Sequence, residues 1–152
     1  MNKNLYLILI LIIFFVFLFY CKQKETDIIP EPKIKAQVEN DILKVIIQLP
    51  KNHHAYLDKG KDGMLIPITF DWSDFIEKNI LSQEPTLITK PKGEYDDEVK
   101  ATVLRGDGIF EFQLPDSLLS ETLKKGNLKI KIQICNETSG ICYRPKIYNI
   151  NF

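Results

Sequence analysis

Two cysteines, Cys135 and Cys142, stand near the end of a 152-residue chain with a short polar stretch between them. Two thiols at this spacing can staple the chain, or they can exchange their bond with another protein by thiolate attack on a disulfide sulfur. Before Cys135, the residues Leu128, Ile130, Ile132 and Ile134 alternate with Lys129, Lys131 and Gln133. That period of two marks a half-buried strand and predicts Cys135 on its polar face. Lys146–Phe152 reads as the returning strand and Asn136–Gly140 as the turn, so a hairpin brings the sulfurs together. Closing so short a loop contributes about 2.5 kcal/mol in chain entropy, less than a bond spanning most of a domain. Spacing leaves structural and redox roles both open; accessibility decides between them.

Other chemistries find weaker support. His53, His54, Cys135 and Cys142 could supply four zinc or copper ligands. The cysteine spacing is wider than that of a zinc knuckle, however, and adjacent histidines rarely share one tetrahedral ion, so no metal site is expected. The histidine pair reads instead as part of a solvated loop, Lys51–Gly63. No serine elbow and no recognisable Cys–His family spacing point to hydrolysis. Asp96-Asp97-Glu98 reads as an acidic surface loop. Lysine plus arginine equals aspartate plus glutamate at 20 each, which gives no footprint for nucleic acid. No cofactor is expected beyond the cysteine pair itself, and the partners are expected to be proteins.

The N-terminus sets the compartment. Leu5–Tyr20 is an unbroken apolar run after a short opening with one lysine, and polar residues resume after Cys21. As a helix the run is about 24 Å long, short of a bilayer core of roughly 30 Å, and it fits the hydrophobic region of a signal peptide. Leu18-Phe19-Tyr20-Cys21 resembles a bacterial lipoprotein box, which implies lipidation of Cys21. Tyr20 stands where such boxes carry a small residue, so an uncleaved membrane anchor is the alternative. Residues 1–20 are thus expected to target or anchor the chain, and 21–33, with Pro30 and Pro32, to tether a single domain at 34–152. Outside the cytoplasm a cysteine pair at this spacing is expected to be bonded at least part of the time.

The elements that position the cysteines are mostly strands. Ile42–Leu49 ends at Pro50, and Met64–Trp72 places Ile66, Ile68, Phe70 and Trp72 on one face, with Pro67 marking an edge or bulge. Ser73–Leu81 reads as one or two helical turns with Ser73 as the N-cap. Thr86–Thr89, Val99–Leu104, Ile109–Leu114, Leu128–Cys135 and Lys146–Phe152 complete the strands, and Arg105-Gly106-Asp107-Gly108 reads as a hairpin turn. About seven short strands predict an all-β, antiparallel β-sandwich.

Cys135 through Pro145, with cysteine, polar turn, cysteine, tyrosine and proline before a closing strand, resembles the N-terminal periplasmic domain of the thiol:disulfide interchange protein DsbD. His54-Ala55-Tyr56-Leu57, Leu65-Ile66-Pro67-Ile68 and Phe70-Asp71-Trp72 are similar to that family's aromatic loop and following strand, and Lys92–Val99 to its acidic cap loop. The resemblance covers roughly Ile34 to Phe152. It implies an immunoglobulin-like sandwich facing the periplasm, which relays reducing equivalents between a separate membrane electron-transfer protein and thioredoxin-like periplasmic proteins. It further implies that Cys142 forms the mixed disulfide, that Cys135 resolves it, and that Tyr56, Asp97 and Glu98 shield the sulfurs. The family's capping phenylalanine falls near Val99, so the shield is expected to draw on Tyr95, Val99 and Tyr143 as well. A non-enzymatic immunoglobulin-like binding lipoprotein with a structural hairpin disulfide is the competing expectation.

Overall fold

The computed structural model describes residues 29–115 and 120–152. The apolar run, Cys21 and most of the expected tether therefore lie outside the described residues. The regular structure is almost entirely antiparallel strand, as the alternating pattern predicts. Strands β1 (Lys33–Glu39) and β2 (Ile42–Gln48) form a hairpin whose two turn residues, Asn40 and Asp41, both have positive φ. That is the turn geometry whose twist matches paired strands, and Asn and Asp tolerate it. There follow β3 (His53–Tyr56), β4 (Thr69–Asp71), helix α1 (Ser73–Glu77), β5 (Thr86–Thr89), β6 (Glu94–Asp96), β7 (Ala101–Arg105) and β8 (Asp107–Gln113). Helix α2 (Ser120–Leu123) and strands β9 (Leu128–Ile132), β10 (Cys135–Asn136) and β11 (Lys146–Ile150) complete the order.

The strands form three sheets, in the orders β1-β2-β8-β5, β10-β3-β7-β6 and β11-β9-β4. The main core lies between the first and third. Leu43, Val45 and Ile47 of β2 and Phe110 and Phe112 of β8 face Leu128, Ile130 and Ile132 of β9, all of them buried. Phe70 of β4 bridges the layers, its ring 5.0 Å from that of Phe110 and 4.7 Å from that of Phe112, both edge to face. Such pairs add about 0.5–1.5 kcal/mol each to the burial of their area. β11 pairs with β9 from Lys146↔Ile132 to Ile150↔Leu128, so the expected returning strand is present.

Three local expectations are corrected. The residues around Gly106 do not join a hairpin, because β7 pairs with β3 and β6 whereas β8 pairs with β2 and β5. Gly106, at φ 70°, instead turns the chain from one sheet into the next, and its carbonyl accepts the Leu49 N–H at 2.9 Å. A turn of this composition fits both uses, and buried side chains on each flank, Leu104 and Phe110, select the crossing. His53–Tyr56 is a buried strand rather than a solvated loop, since its alternate side chains meet apolar partners on both faces. The first helix has Trp72 at its N-cap position, and the Ser73 N–H is taken by Asp71 Oδ1 at 2.9 Å, so Ser73 does not cap.

Phe75 of α1 is fully buried, with the Trp72 and Phe152 rings 5.8 and 5.9 Å away, and Gly126 passes directly over it. A Cβ at Gly126 would overlap the Phe75 ring, which is fully buried. Gly126→Ala is therefore expected to lower stability by about 1–3 kcal/mol in urea unfolding. An unchanged midpoint would show that the ring is not confined.

Candidate active site

Cys135 reaches its position because the chain changes sheets. β9 ends at Ile132, Gln133 and Ile134 belong to no strand, and β10 then joins the second sheet beside β3. Ile134 stays in the main core at 3% exposure, and Cys135, the next residue, is 1% exposed in a second cluster with Tyr56, Ala101 and Val103, flanked by Leu65. The prediction that Cys135 lies on the polar face is thus overturned. Strict alternation holds only while a strand keeps one set of neighbours, and here consecutive residues turn inward towards different sheets.

Cys135 and Cys142 are disulfide-bonded and face each other as an isolated antiparallel pair. The intervening turn is built on Asn136. Its side-chain oxygen accepts the N–H groups of Thr138 and Ser139, both at 2.9 Å, and its backbone bonds to Ile141 and Gly140. Gly140 takes φ 67°, which closes the turn. Thr138, Ser139, Gly140, Ile141 and Cys142 are all exposed. The bond is therefore asymmetric, with one sulfur-bearing residue enclosed and the other open to an approaching molecule.

Four residues lie in one row across the strands. Arg105 of β7 is opposite His54 of β3, His54 is opposite Cys135 of β10, and Cys135 is opposite Cys142. Directly opposed residues share a sheet face. Tyr56, two positions along from His54, shares it too; its hydroxyl lies 3.8 Å from the Sγ of both cysteines, and its ring meets that of His54 edge to face at 5.3 Å. A disulfide has no proton to give, so the hydroxyl is the donor. Burial, reinforced by Asp96, pushes the Tyr56 pKa up from its usual 10.0, which keeps that proton in place.

The polar edge of the row is a compact charge cluster. Arg105 donates from Nε to Glu137 and from a terminal nitrogen to Glu94 at 2.7 Å, and a further nitrogen stands 3.5 Å from Asp96. Asp96 also accepts the N–H of Glu98 at 3.0 Å and of Val99 at 3.4 Å, which shapes the start of the acidic loop. Burial raises the Asp96 pKa, but these hydrogen bonds and Arg105 outweigh it and hold the carboxyl below its usual range. His54 Nδ1 is buried without a hydrogen bond, 3.7 Å from Glu137 Oε1. Burial, and then Arg105, hold the imidazole below its usual 6.5.

Of the residues expected at the site, the structure brings together Cys135, Cys142 and Tyr56. Tyr95 is opposite Thr102 and so lies on the other face of the sheet from Tyr56, 63% exposed. Tyr143 follows Cys142 but stacks on His53, ring centres 6.1 Å apart, again on that other face. Asp97, Glu98 and Val99 form the exposed bend between β6 and β7, with Asp97 paired to Lys100 at 3.2 Å. The Val99 carbonyl lies against Gly60 beside Leu65, which joins this bend to the loop that flanks the cysteine cluster. Arg105, Glu94 and Glu137 escape a reading by sequence, and His54 enters it only as a possible metal ligand and as part of the aromatic loop, because their place at the site is set by cross-strand register over long separations. His53 and His54 project to opposite faces of β3, and among the described residues no three His, Cys, Asp or Glu side chains group as a metal would require.

Two outcomes follow from these environments. Folded His54 gives up its proton at a lower pH than the unfolded chain does, so between the two values the unfolded state binds more protons. Its contribution to stability is complete above pH 6.5 and declines as pH falls towards the folded value. Thermal unfolding from pH 8 to 5 should show this decline, and His54→Gln should flatten it; the aspartates with lowered pKa act only in the more acid range below 3.8. In the reduced chain the Tyr56 hydroxyl should stabilise a thiolate. Tyr56→Phe is expected to raise the pH midpoint of Cys142 alkylation by roughly 0.5–1 unit, the equivalent of one hydrogen bond of ~1 kcal/mol.

No family model and no curated protein matches the sequence. Among solved structures, the chain is similar to the DsbD N-terminal domain of Neisseria meningitidis in its reduced form, at 17% identity and a TM-score of 0.52, over 86% of this chain and 93% of that one. It is also similar to a Neisseria meningitidis structure of the complex between the DsbD N-terminal and PilB N-terminal domains, at 17% identity and a TM-score of 0.49, over 83% and 88% of the two chains. At these identities the likeness is one of architecture: the chain has the immunoglobulin-like fold of the DsbD N-terminal domain.

Proposed function

We propose that the chain performs thiol–disulfide exchange through Cys135 and Cys142. The observation that carries this reading is the asymmetry of the bond, with Cys142 exposed and Cys135 1% exposed beneath Tyr56. In reduction of the domain, a partner thiolate attacks Cys142 Sγ and the Cys135–Cys142 bond breaks. Cys135 leaves with the electron pair and takes up a proton. A second partner thiol then attacks the partner sulfur of the mixed disulfide and releases Cys142, so two electrons pass to the domain and the partner ends as a disulfide. In the opposite direction the Cys142 thiolate attacks a partner disulfide, and Cys135 resolves the adduct.

The reading extends to partners and place. A separate membrane electron-transfer protein supplies the reducing equivalents and thioredoxin-like periplasmic proteins receive them, with the chain held at the membrane by residues 1–20 or by lipid on Cys21. Tyr56, together with the bend Asp97–Val99 and the Leu65 loop, shields the sulfurs from small oxidants. The fold shared with the DsbD N-terminal domain supports this extension.

The test is trapping. Cys135→Ala, mixed with a thioredoxin-like protein oxidised at its own cysteine pair, is expected to hold that protein as a mixed disulfide through Cys142, and Cys142→Ala is expected to hold none. If Cys135→Ala captures nothing and the native pair stays oxidised in cells under every condition, the bond is a structural staple and the chain a binding lipoprotein.

A further inference from the structure

Cys135 must lose a proton before it can attack and must regain one after it leaves, yet its site is closed to solvent. Cys135 packs in an apolar cluster with Tyr56, Ala101 and Val103, flanked by Leu65, and His54 is directly opposite it on the same sheet face, which Asp96, opposite Ala101, shares at its polar edge. Directly opposed residues bring their Cβ atoms to about 5 Å. Ala101, Val103 and Leu65 carry no proton, and Tyr56 holds its own and can only donate. His54 differs in that its Nδ1 is buried with no hydrogen bond while the cysteines are joined. A disulfide sulfur has no proton to share with that nitrogen, whereas a Cys135 thiol has one.

We propose that His54 is the general base that takes the proton from Cys135 when this thiol attacks Cys142 in a mixed disulfide, and that returns it when Cys135 leaves. The step balances: the S–H bond of Cys135 breaks as the Cys135–Cys142 bond forms, the partner sulfur departs with the electron pair, and the proton resides on the imidazole. The inference rests on the exchange chemistry proposed above. The groups facing His54 fit it to this work. Burial, and then Arg105 on β7, keep the ring neutral and able to accept. Glu137 in the redox turn, 3.7 Å from Nδ1, and Asp96 on β6 then face the imidazolium once it forms. Glu94, also on β6, is held by Arg105, and His53 points to the other face of β3. The arrangement follows the logic of a nucleophilic thiol, an imidazole base and a carboxylate beside it.

The full-length chain carrying Cys21→Ser has Cys135 and Cys142 as its remaining thiols. Reduced and mixed with excess 5,5′-dithiobis(2-nitrobenzoate), it should release one coloured thiol as Cys142 reacts and a second as Cys135 resolves the adduct. His54→Gln is expected to lower the rate of the second phase relative to the first by about a hundredfold. The native second phase should level off by pH 7, and that of the variant should keep rising towards the ordinary thiol value of about 8.5. Equal ratios and parallel pH profiles in the two chains would overturn the role of His54 while leaving exchange intact. Release of a single equivalent by the native chain would overturn both. The native chain gives a reading independent of any variant: the His54 Nδ1 resonance in nitrogen-15 NMR should shift on reduction, and an unmoved resonance would overturn the proposal.

Discussion

The constraint on which the site depends is the two-residue crossing at Gln133 and Ile134. The chain runs along β9 as part of the main core, leaves it, and re-enters the second sheet as β10. Had β9 continued without a break, Cys135 would stand on a lysine-lined outer face beside Lys129 and Lys131, and both sulfurs would be open. The crossing instead seats Cys135 under Tyr56 and leaves Cys142 on the rim. β11 can then return to β9, so the same backbone excursion serves the core and the site.

Charge near the sulfurs is arranged with equal economy. One guanidinium, Arg105, engages carboxylates from β6 and from the turn between the cysteines, while Asp96 uses a second set of lone pairs to shape the bend that follows it. Arg105 is about a third exposed, so each pair is modest in energy and sensitive to salt. Their joint effect is geometric: they tie the turn that carries Cys142 to the strand next to Tyr56. His54 lies inside this ring of charges without an ion pair of hydrogen-bond length.

The strands that bury one face were legible in the sequence. Ile42–Gln48, Asp107–Gln113 and Leu128–Ile132 alternate because one side meets the core and the other meets water. The pairing of the cysteines was legible from their spacing, and the place of Tyr56 beside them through resemblance. β3 was not, because a strand covered by the main core on one face and by a second cluster on the other can carry His-His-Ala-Tyr and show no alternation of polarity. Gly106 misled for a related reason: a turn sequence encodes a reversal of direction, whereas the choice of sheet is made by the buried flanks, Leu104 and Phe110, and by Leu49, far upstream, whose N–H bonds to the Gly106 carbonyl. The row from Arg105 to Cys142 joins residues far apart in the chain, and register of that kind leaves no local trace.

The two sulfurs are neighbours in sequence, but the pocket that distinguishes them is assembled from β3 and β7, far upstream. The bond can therefore close in a chain that is still folding, before His54, Tyr56 and Val103 have converged. At that stage the two sulfurs are chemically alike, and either can be attacked. Completion of the second sheet is what encloses one of them and leaves the other in the open. The asymmetry of the pair is thus a product of tertiary assembly rather than of the cysteine motif, and a chain that folds incompletely would keep its disulfide and lose that asymmetry.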